Sequence, residues 1–224
     1  MLDLEPIARQ TVSEAVYERL LADVLTGRLA AGDPLPGERA LSEAFEVNRH
    51  AVREAIKRLQ QAGLVIVAQG GATRVVDWRR SAGLDVLVSL ATVARGDGLH
   101  ALVKDIAEMR AALGADVARA CAQRSPDADP APVDLYQDPA DRAEAYDAFW
   151  DTITDGAQNL AYRLALNTLV AAQRNGAIDP QIYEAERDDP AAQRGLADAI
   201  ASGDAEQAHA RALALLNRTV EQLK

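Results

Sequence analysis

Apolar side chains recur three and four positions apart in three successive stretches near the start of the chain, and this spacing predicts three short helices. The first spans about 12–26, the second about 38–45 and the third about 49–62. Asn48 is a favourable N-cap for the third helix, and Gly63 stands where its C-cap is expected. Only a tight turn therefore separates the second helix from the third.

Two β-favouring runs follow at 64–67 and 73–76, and the linker between them contains Gly70 and Gly71. Short strands on either side of a glycine-containing linker are typical of a β-hairpin. Three helices with a tight second turn, followed by a hairpin, form the pattern of a winged helix-turn-helix. In that motif the third helix enters the major groove of DNA.

From residue 81 onward the pattern is helical almost throughout. Alanine and leucine dominate and aromatic residues make up only 4% of the chain, so an aliphatic helical core is expected. The predicted fold is mostly α, with a winged helix-turn-helix and its β-hairpin wing over 1–78 and a C-terminal all-α helical bundle over 79–224. The helices predicted for the bundle lie near 81–94, 99–124, 139–154, 159–175, 190–202 and 204–223, with a short one at 180–186.

Charge is distributed unevenly along the chain, whose net charge is −10. Residues 1–80 hold eleven basic and eleven acidic side chains, so the remaining 144 residues carry the whole negative charge. Within 39–80, eight basic side chains stand against four acidic ones. Because only the local field meets a phosphate backbone, we expect contact with double-stranded DNA at the N-terminal end alone.

The third helix and its surroundings carry side chains suited to DNA. Arginine can bind guanine through O6 and N7, and asparagine can bind adenine through N6 and N7. We expect Arg39 to meet a phosphate, His50 to meet a phosphate or a base, and Glu43 and Glu54 to pair with nearby arginines. Glycines at the wing tip would let the backbone approach DNA closely. The predicted DNA-binding residues are Arg39, Asn48, Arg49, His50, Arg53, Gln69, Gly70, Gly71 and Arg74.

Several classes of protein do not fit the sequence. No apolar run approaches the ~18 residues that a membrane span needs, and the acidic start of the chain does not resemble a secretory signal. We therefore expect a soluble, cytoplasmic protein that does not contact a membrane. The single cysteine, Cys121, is expected to be a buried core residue. Since no nucleophile–base set, phosphate loop or metal cluster can be recognised, an enzyme is not expected.

The stretch from Gly27 to Leu64 resembles the GntR family of bacterial transcription regulators. It carries the matching runs Gly32-Asp33-Pro34-Leu35-Pro36, Glu38-Arg39, Val52-Arg53-Glu54-Ala55 and Gly63-Leu64. Two positions depart from the family pattern, because Glu46 replaces a usual turn glycine and Asn48 replaces Ser or Thr. The resemblance implies a homodimer that binds a palindromic operator.

The second domain is similar to the FCD/FadR branch of this family, in which a helical bundle dimerises and binds an effector. Most FCD domains hold a divalent metal through one Asp and three His. The matching positions here are Tyr146, Trp150, Gln193 and Leu215, so we predict no metal and no cofactor. Loss of these ligands resembles the fatty-acid-responsive FadR proteins, which implies long-chain acyl-CoA as the leading effector candidate. The last helix departs from that branch, since 215–223 lacks the residues that line the FadR ligand site.

Polar side chains of the bundle are expected to face the cavity in which the effector binds. The predicted effector-binding residues are Arg110, Tyr146, Asn159, Tyr162, Arg163 and Asn167. Each has an alternative interpretation as a structural polar residue satisfied by a neighbouring helix. Two alternatives also stay open for the whole protein: a constitutive DNA-binding dimer whose helical domain serves only assembly, and a regulator that senses a different small organic acid.

Overall fold

A computed structural model describes residues 12–67, 72–132, 138–174 and 178–224. The contacts divide the chain into two compact units, Met1–Val93 and Ala94–Lys224. This division falls later than the boundary drawn from the sequence at residue 78. The reason is that the helix Val86–Val93 packs against the first helix of the chain. The assignment of DNA binding to one unit and effector binding to the other remains a prediction.

The first unit has the predicted order of three helices and a hairpin. Its elements are α1 (Val12–Leu25), α2 (Glu38–Ala44), α3 (Arg49–Gln61), β1 (Val65–Val67), β2 (Thr73–Val75), α4 (Trp78–Ser81) and α5 (Val86–Val93). The two strands pair antiparallel with Val65 opposite Val75. The winged helix-turn-helix predicted from the sequence is thus confirmed.

Helix α3 is amphipathic, and its apolar face forms the centre of the first unit's core. Val52, Ala55 and Leu59 are fully buried, and they belong to one cluster with Leu20 and Val24 of α1. The side chains on the opposite face are polar, so burying one face leaves the other open to solvent. The packing therefore fixes which residues of α3 can meet a ligand.

The segment after the wing differs from the sequence prediction of one helix near 81–94. It contains two helices, α4 and α5, with residues 82–85 between them. The end of α4 is tied to the end of α3, because the Ser81 hydroxyl donates a 2.6 Å hydrogen bond to the Gly63 carbonyl. Gly63 has a positive φ of 71°, and a β carbon there would lie 2.7 Å from the Ser81 carbonyl oxygen. Only glycine combines that backbone conformation with so close an approach.

The second unit is a helical bundle around one long helix. Its elements are α6 (Gly96–Arg124), α7 (Pro139–Gly156), α8 (Leu160–Arg174), a 3₁₀ turn (Pro180–Tyr183), α9 (Glu184–Arg187), α10 (Pro190–Ala201) and α11 (Ala205–Gln222). Helix α6 packs most extensively against α11 and also contacts α7, α8 and α10. Every element found in the described part of this unit is helical, which confirms the predicted all-α bundle.

The centre of the bundle is lined by small and aliphatic side chains, as the composition predicts. Ala115, Ala118, Ile200 and Ala212 are fully buried in one cluster. Cys121 lies in the same cluster, and burial raises the pKa of its thiol to about 11, so it stays protonated at neutral pH.

Among the described helices, none combines the length and the apolar character needed to cross a bilayer.

Candidate DNA-binding surface and effector cleft

The start of α3 is fixed by Asn48. Its Oδ1 atom accepts a 2.9 Å hydrogen bond from the backbone N–H of Ala51, which is the geometry of an N-cap. The same oxygen would be needed to bind adenine through N6 and N7. Asn48 thus caps α3 through this oxygen, and its contact with adenine stays a prediction.

Arg49 and His50 follow the cap on the exposed first turn of α3. Neither side chain forms a hydrogen bond or salt bridge within the described part of the chain. Arg49 is thus an exposed cation at the N-terminal end of the helix, which is the end that contacts base edges in helix-turn-helix proteins.

Arg53, one turn further along α3, is paired with Glu38 at the start of α2. Its Nη2 and Nε atoms donate to the Glu38 carboxylate at 2.7 and 3.0 Å. The hydrogen bond from Arg53 lowers the pKa of Glu38 below its ordinary value. The pairing of Glu38 with Arg53 could not be predicted, because no local pattern relates residues fifteen positions apart.

The remaining predicted DNA contacts lie on α2 and on the wing. Arg39 is exposed, and its Nε lies 3.7 Å from the Glu43 carboxylate, as expected for a local pair. Glu54 was expected to pair with an arginine but pairs instead with Lys57 at 2.8 Å, because that side chain lies one turn away on the same face. Arg74 donates a 2.9 Å hydrogen bond to the Gly32 carbonyl. The predicted wing-tip residues Gln69, Gly70 and Gly71 lie outside the described residues.

The second unit contains a cleft between α6, α7, α8 and the 3₁₀ turn. Water-sized molecules can occupy about 50 Å³ of it, which is room for a few waters. Four of the six predicted effector residues line this cleft: Arg110, Tyr146, Arg163 and Asn167. The other two do not, since Asn159 accepts backbone hydrogen bonds at the start of α8 and Tyr162 packs against the bundle core.

A buried carboxylate lies behind the cleft. Glu186 of α9 is fully buried, and its two oxygens lie 2.9 and 2.8 Å from Nη1 of Arg110. The Tyr146 hydroxyl donates to the same carboxylate at 2.7 Å, and the Thr219 hydroxyl also donates to it. The guanidinium of Arg110 lies over the Tyr183 ring, 4.8 Å from its centre.

Charge and burial set the protonation states of Arg110 and Tyr146. Burial alone would lower the pKa of Arg110, but the negative charge of Glu186 outweighs it and raises that pKa, so the guanidinium stays charged. Burial, reinforced by the charge of Glu186, raises the pKa of the Tyr146 hydroxyl well above its ordinary value. Tyr146 therefore remains a hydrogen-bond donor at any physiological pH.

Arg110 and Tyr146 are among the predicted effector-binding residues, whereas Glu186, Tyr183 and Thr219, which complete the cluster, are not. Glu186 and Arg110 are 76 positions apart, and Glu186 is one of many acidic residues in an acidic half of the chain. Its only local signal is its place in the predicted short helix at 180–186. Arg163 was also predicted to bind the effector. Its guanidinium is paired with the Asp151 carboxylate and, at 2.5 Å, with the Asp155 carboxylate, and these two pairs neutralise its charge.

At the four positions where the FCD resemblance places metal ligands, the side chains make other contacts. Tyr146 donates to Glu186, and Gln193 donates to the Glu186 and Arg187 carbonyls at 3.0 and 3.1 Å. Trp150 packs edge-on against Phe149, and Leu215 is buried in the core. No group of three or more His, Cys, Asp or Glu side chains in the described ranges is arranged to hold a metal ion.

Comparison with known proteins agrees with these features. The profile of the family described as bacterial regulatory proteins, gntR family, matches residues 12–75. The HTH-type transcriptional regulator Mce2R of Mycobacterium tuberculosis is 38% identical over 213 residues, covering 90% of this chain and 87% of that protein. The fatty acid metabolism regulator protein of Shewanella halifaxensis is 29% identical over 152 residues, covering 66% of this chain and 63% of that protein.

Among solved structures, Lar, which controls expression of the agr system of Listeria monocytogenes, has a similar fold. It aligns with a TM-score of 0.50 at 18% identity and covers 96% of this chain and 97% of its own. At that level of identity the similarity concerns the fold alone.

Proposed function

Because the chain belongs to the GntR family of bacterial regulatory proteins and is a transcription regulator rather than an enzyme, we propose that two copies of it bind a palindromic DNA operator in the cytoplasm under the control of a small-molecule effector. The observation that carries the proposal is the exposed first turn of α3, where Arg49 and His50 follow the Asn48 cap. Two-fold symmetry of a dimer is mirrored in the two half-sites of its operator.

The proposed contacts divide into those that read bases and those that hold the backbone. Arg49 and Arg53 read base edges from α3, whereas Arg39 meets a phosphate. His50, Arg74 and the wing tip at 69–71 complete the surface, and Asn48 holds the start of the helix in place. Glu38 must release Arg53, or share it, when DNA binds.

The DNA proposal is tested by selecting duplexes from a random library with the full-length protein and measuring affinity for the selected site. We expect the site to be palindromic and to bind two chains. Arg49→Ala should weaken specific binding by ~1–3 kcal/mol, whereas Arg39→Ala should weaken binding to all sequences and flatten its salt dependence. Arg211→Ala removes an exposed arginine from the second unit and serves as the matched control. Equal affinities for the control and Arg49→Ala would exclude this helix as the reading element.

For the effector we propose the cleft lined by Arg110, Tyr146, Arg163 and Asn167. Asn159 and Tyr162 support it, through the start of α8 and through the bundle core. Long-chain acyl-CoA is the leading candidate, supported by the similarity to proteins named fatty acid metabolism regulators. A chain of that length needs a cleft wider than the one described, so the bundle must open to admit it.

A second candidate, a small organic acid, is favoured by the size of the cleft and by the buried cation Arg110. The two candidates are separated by titrating the protein–operator complex with palmitoyl-CoA, with free coenzyme A and with short monocarboxylates. Release by palmitoyl-CoA but not by coenzyme A supports the first candidate, and release by a monocarboxylate supports the second. An operator affinity that none of them changes would favour the constitutive dimer.

A further inference from the structure

The Glu186 carboxylate occupies a site whose donors all come from other parts of the bundle. Arg110 belongs to α6, Tyr146 to α7 and Thr219 to α11, which are three long helices of the unit. Glu186 itself belongs to the four-residue helix α9. The long helices therefore build a carboxylate-binding site, and a short segment of the same chain fills it.

The donors match the two oxygens of one carboxylate. Arg110 Nη1 lies within hydrogen-bond distance of both oxygens, Thr219 donates to Oε1 and Tyr146 to Oε2. These contacts hold both oxygens, so the three side chains fit a group with two acceptor oxygens, as a carboxylate has. Because Arg110 is buried, removing its counter-charge without replacing it would leave a buried unpaired cation, which is strongly unfavourable.

The site adjoins the cleft. Arg110 and Tyr146 both line the cleft, so a molecule that enters it reaches two of the donors that hold Glu186. Tyr183, which also lines the cleft and lies against the Arg110 guanidinium, belongs to the same short segment as Glu186. Residues 180–187 thus supply both the carboxylate and one wall of the cleft.

Side chains of α10 and α11 also contact the backbone of this segment. Gln193 donates to the carbonyls of Glu186 and Arg187, and the Thr219 hydroxyl, which donates to Glu186, also lies 3.2 Å from the Ile182 carbonyl oxygen. Each of these is an individual hydrogen bond with a modest net contribution, so their loss can be offset by binding a ligand. Moving the segment also uncovers the buried Tyr183 ring, so a ligand must replace that packing as well as these hydrogen bonds.

We propose that Glu186 is an internal substitute for the carboxylate of the effector, and that a small monocarboxylic acid binds by replacing it on Arg110, Tyr146 and Thr219 while residues 180–187 move out of the cleft. This inference rests on the proposed function in assuming that the cleft is the effector site. The exchange keeps the buried charge balanced, because one carboxylate enters as another moves into water. It also links occupancy of the cleft to the position of a backbone segment.

The test uses full-length protein without DNA and measures binding of acetate, propionate, hexanoate and octanoate by calorimetry. Glu186→Gln removes the internal competitor and leaves Arg110 without its counter-charge, so carboxylates should bind at least about tenfold more tightly than to the unchanged protein. Glu186→Asp shortens the competitor and keeps its charge, and it should give a smaller gain in the same direction. Propionamide and inorganic phosphate are the matched probes and should not gain affinity.

A purely structural ion pair predicts the opposite sign, because breaking it would loosen the cleft and weaken binding. If Glu186→Gln does not fold, the Glu186→Asp comparison decides. Unchanged or weaker carboxylate binding in the folded variants, or no binding of any carboxylate to any form, would overturn the proposal. An equal gain for phosphate would overturn the carboxylate class. Since no DNA is present, these outcomes are independent of whether the effector releases an operator.

Discussion

Glu46 holds the turn between α2 and α3 in a backbone conformation that non-glycine residues rarely adopt. Its φ is 54°, in the left-handed region, at the position where the GntR pattern usually has glycine. A β carbon in this region costs on the order of 1 kcal/mol. We expect Glu46→Gly to raise the free energy of unfolding by up to about 1 kcal/mol, and Glu46→Ala, which keeps the β carbon, to give no such gain. Chemical denaturation of the two variants side by side measures the difference, and equal stabilities would rule out backbone strain at this turn.

The Glu38 carboxylate reduces the net positive charge that α3 presents to solvent. It holds the exposed Arg53 guanidinium at 2.7 Å, so part of that charge is neutralised before any phosphate approaches. Glu38→Gln should strengthen non-specific DNA binding, and the slope of log affinity against log salt should steepen by about one. Glu108→Gln removes the same charge from α6 and should change neither quantity. An unaltered slope in Glu38→Gln would mean that the Glu38 charge does not act on the DNA backbone.

At the scale of elements, α1 and α3 are joined by a polar contact as well as by their apolar faces. Arg58 donates to Glu14 at 2.5 and 3.0 Å and lies over the Tyr17 ring. The hydrogen bond from Arg58 lowers the pKa of Glu14 below its ordinary value of 4.5. A lowered pKa in the folded state means that the pair stabilises the fold above that ordinary value, and that this contribution is lost as pH falls through the lowered one.

The expected result is that Glu14→Gln lowers stability at pH 7 by a few tenths of a kcal/mol to about 1 kcal/mol, because the pair is partly exposed. The difference in unfolding midpoint between the two proteins should shrink as the pH falls below about 4 and the Glu14 carboxylate becomes protonated. Thermal unfolding, monitored by circular dichroism at each pH in that range, measures this difference in midpoint. A difference that stays constant with pH would show that the Glu14 charge is not responsible.

Elements were predictable from the sequence where their signals are local. The Asn48 cap and Gly63 bracket α3, and Pro139 begins α7, so these boundaries follow from neighbouring residues. The break at 82–85 was missed because apolar spacing alone continues through it. The pairs Arg53–Glu38 and Arg110–Glu186 could not be predicted, since each joins charged residues that only the folded chain brings together. The exposed face of α3 was therefore predictable, whereas the ion pairs that neutralise Arg53 on α3 and Arg110 beside the cleft were not.

At the scale of the whole molecule, negative charge is concentrated in the part of the chain that follows the winged helix-turn-helix. The first 80 residues are neutral overall, and the rest carry the entire net charge of −10. An acidic bundle repels the phosphate backbone, so non-specific binding by the second unit is disfavoured. We therefore expect this separation to favour DNA contact at the winged helix-turn-helix over contact at the bundle.

If the bundle is a sensor, its ligand and the operator must be linked thermodynamically. An effector that weakens operator binding by a given factor must itself be bound more weakly by the same factor when the operator is present, and such factors are typically ~5–150-fold. We expect calorimetric titrations with whichever candidate releases the operator, done with and without saturating operator, to give that factor. Operator titrations with and without the same compound should give the same factor. Arg49→Ala should weaken operator binding while leaving the effector affinity of the free protein unchanged, because Arg49 lies on α3 and the cleft lies within the bundle. Two unequal factors would mean that the ligand acts on an assembly other than the dimer on its operator, and two factors of one would leave the bundle with assembly as its only role.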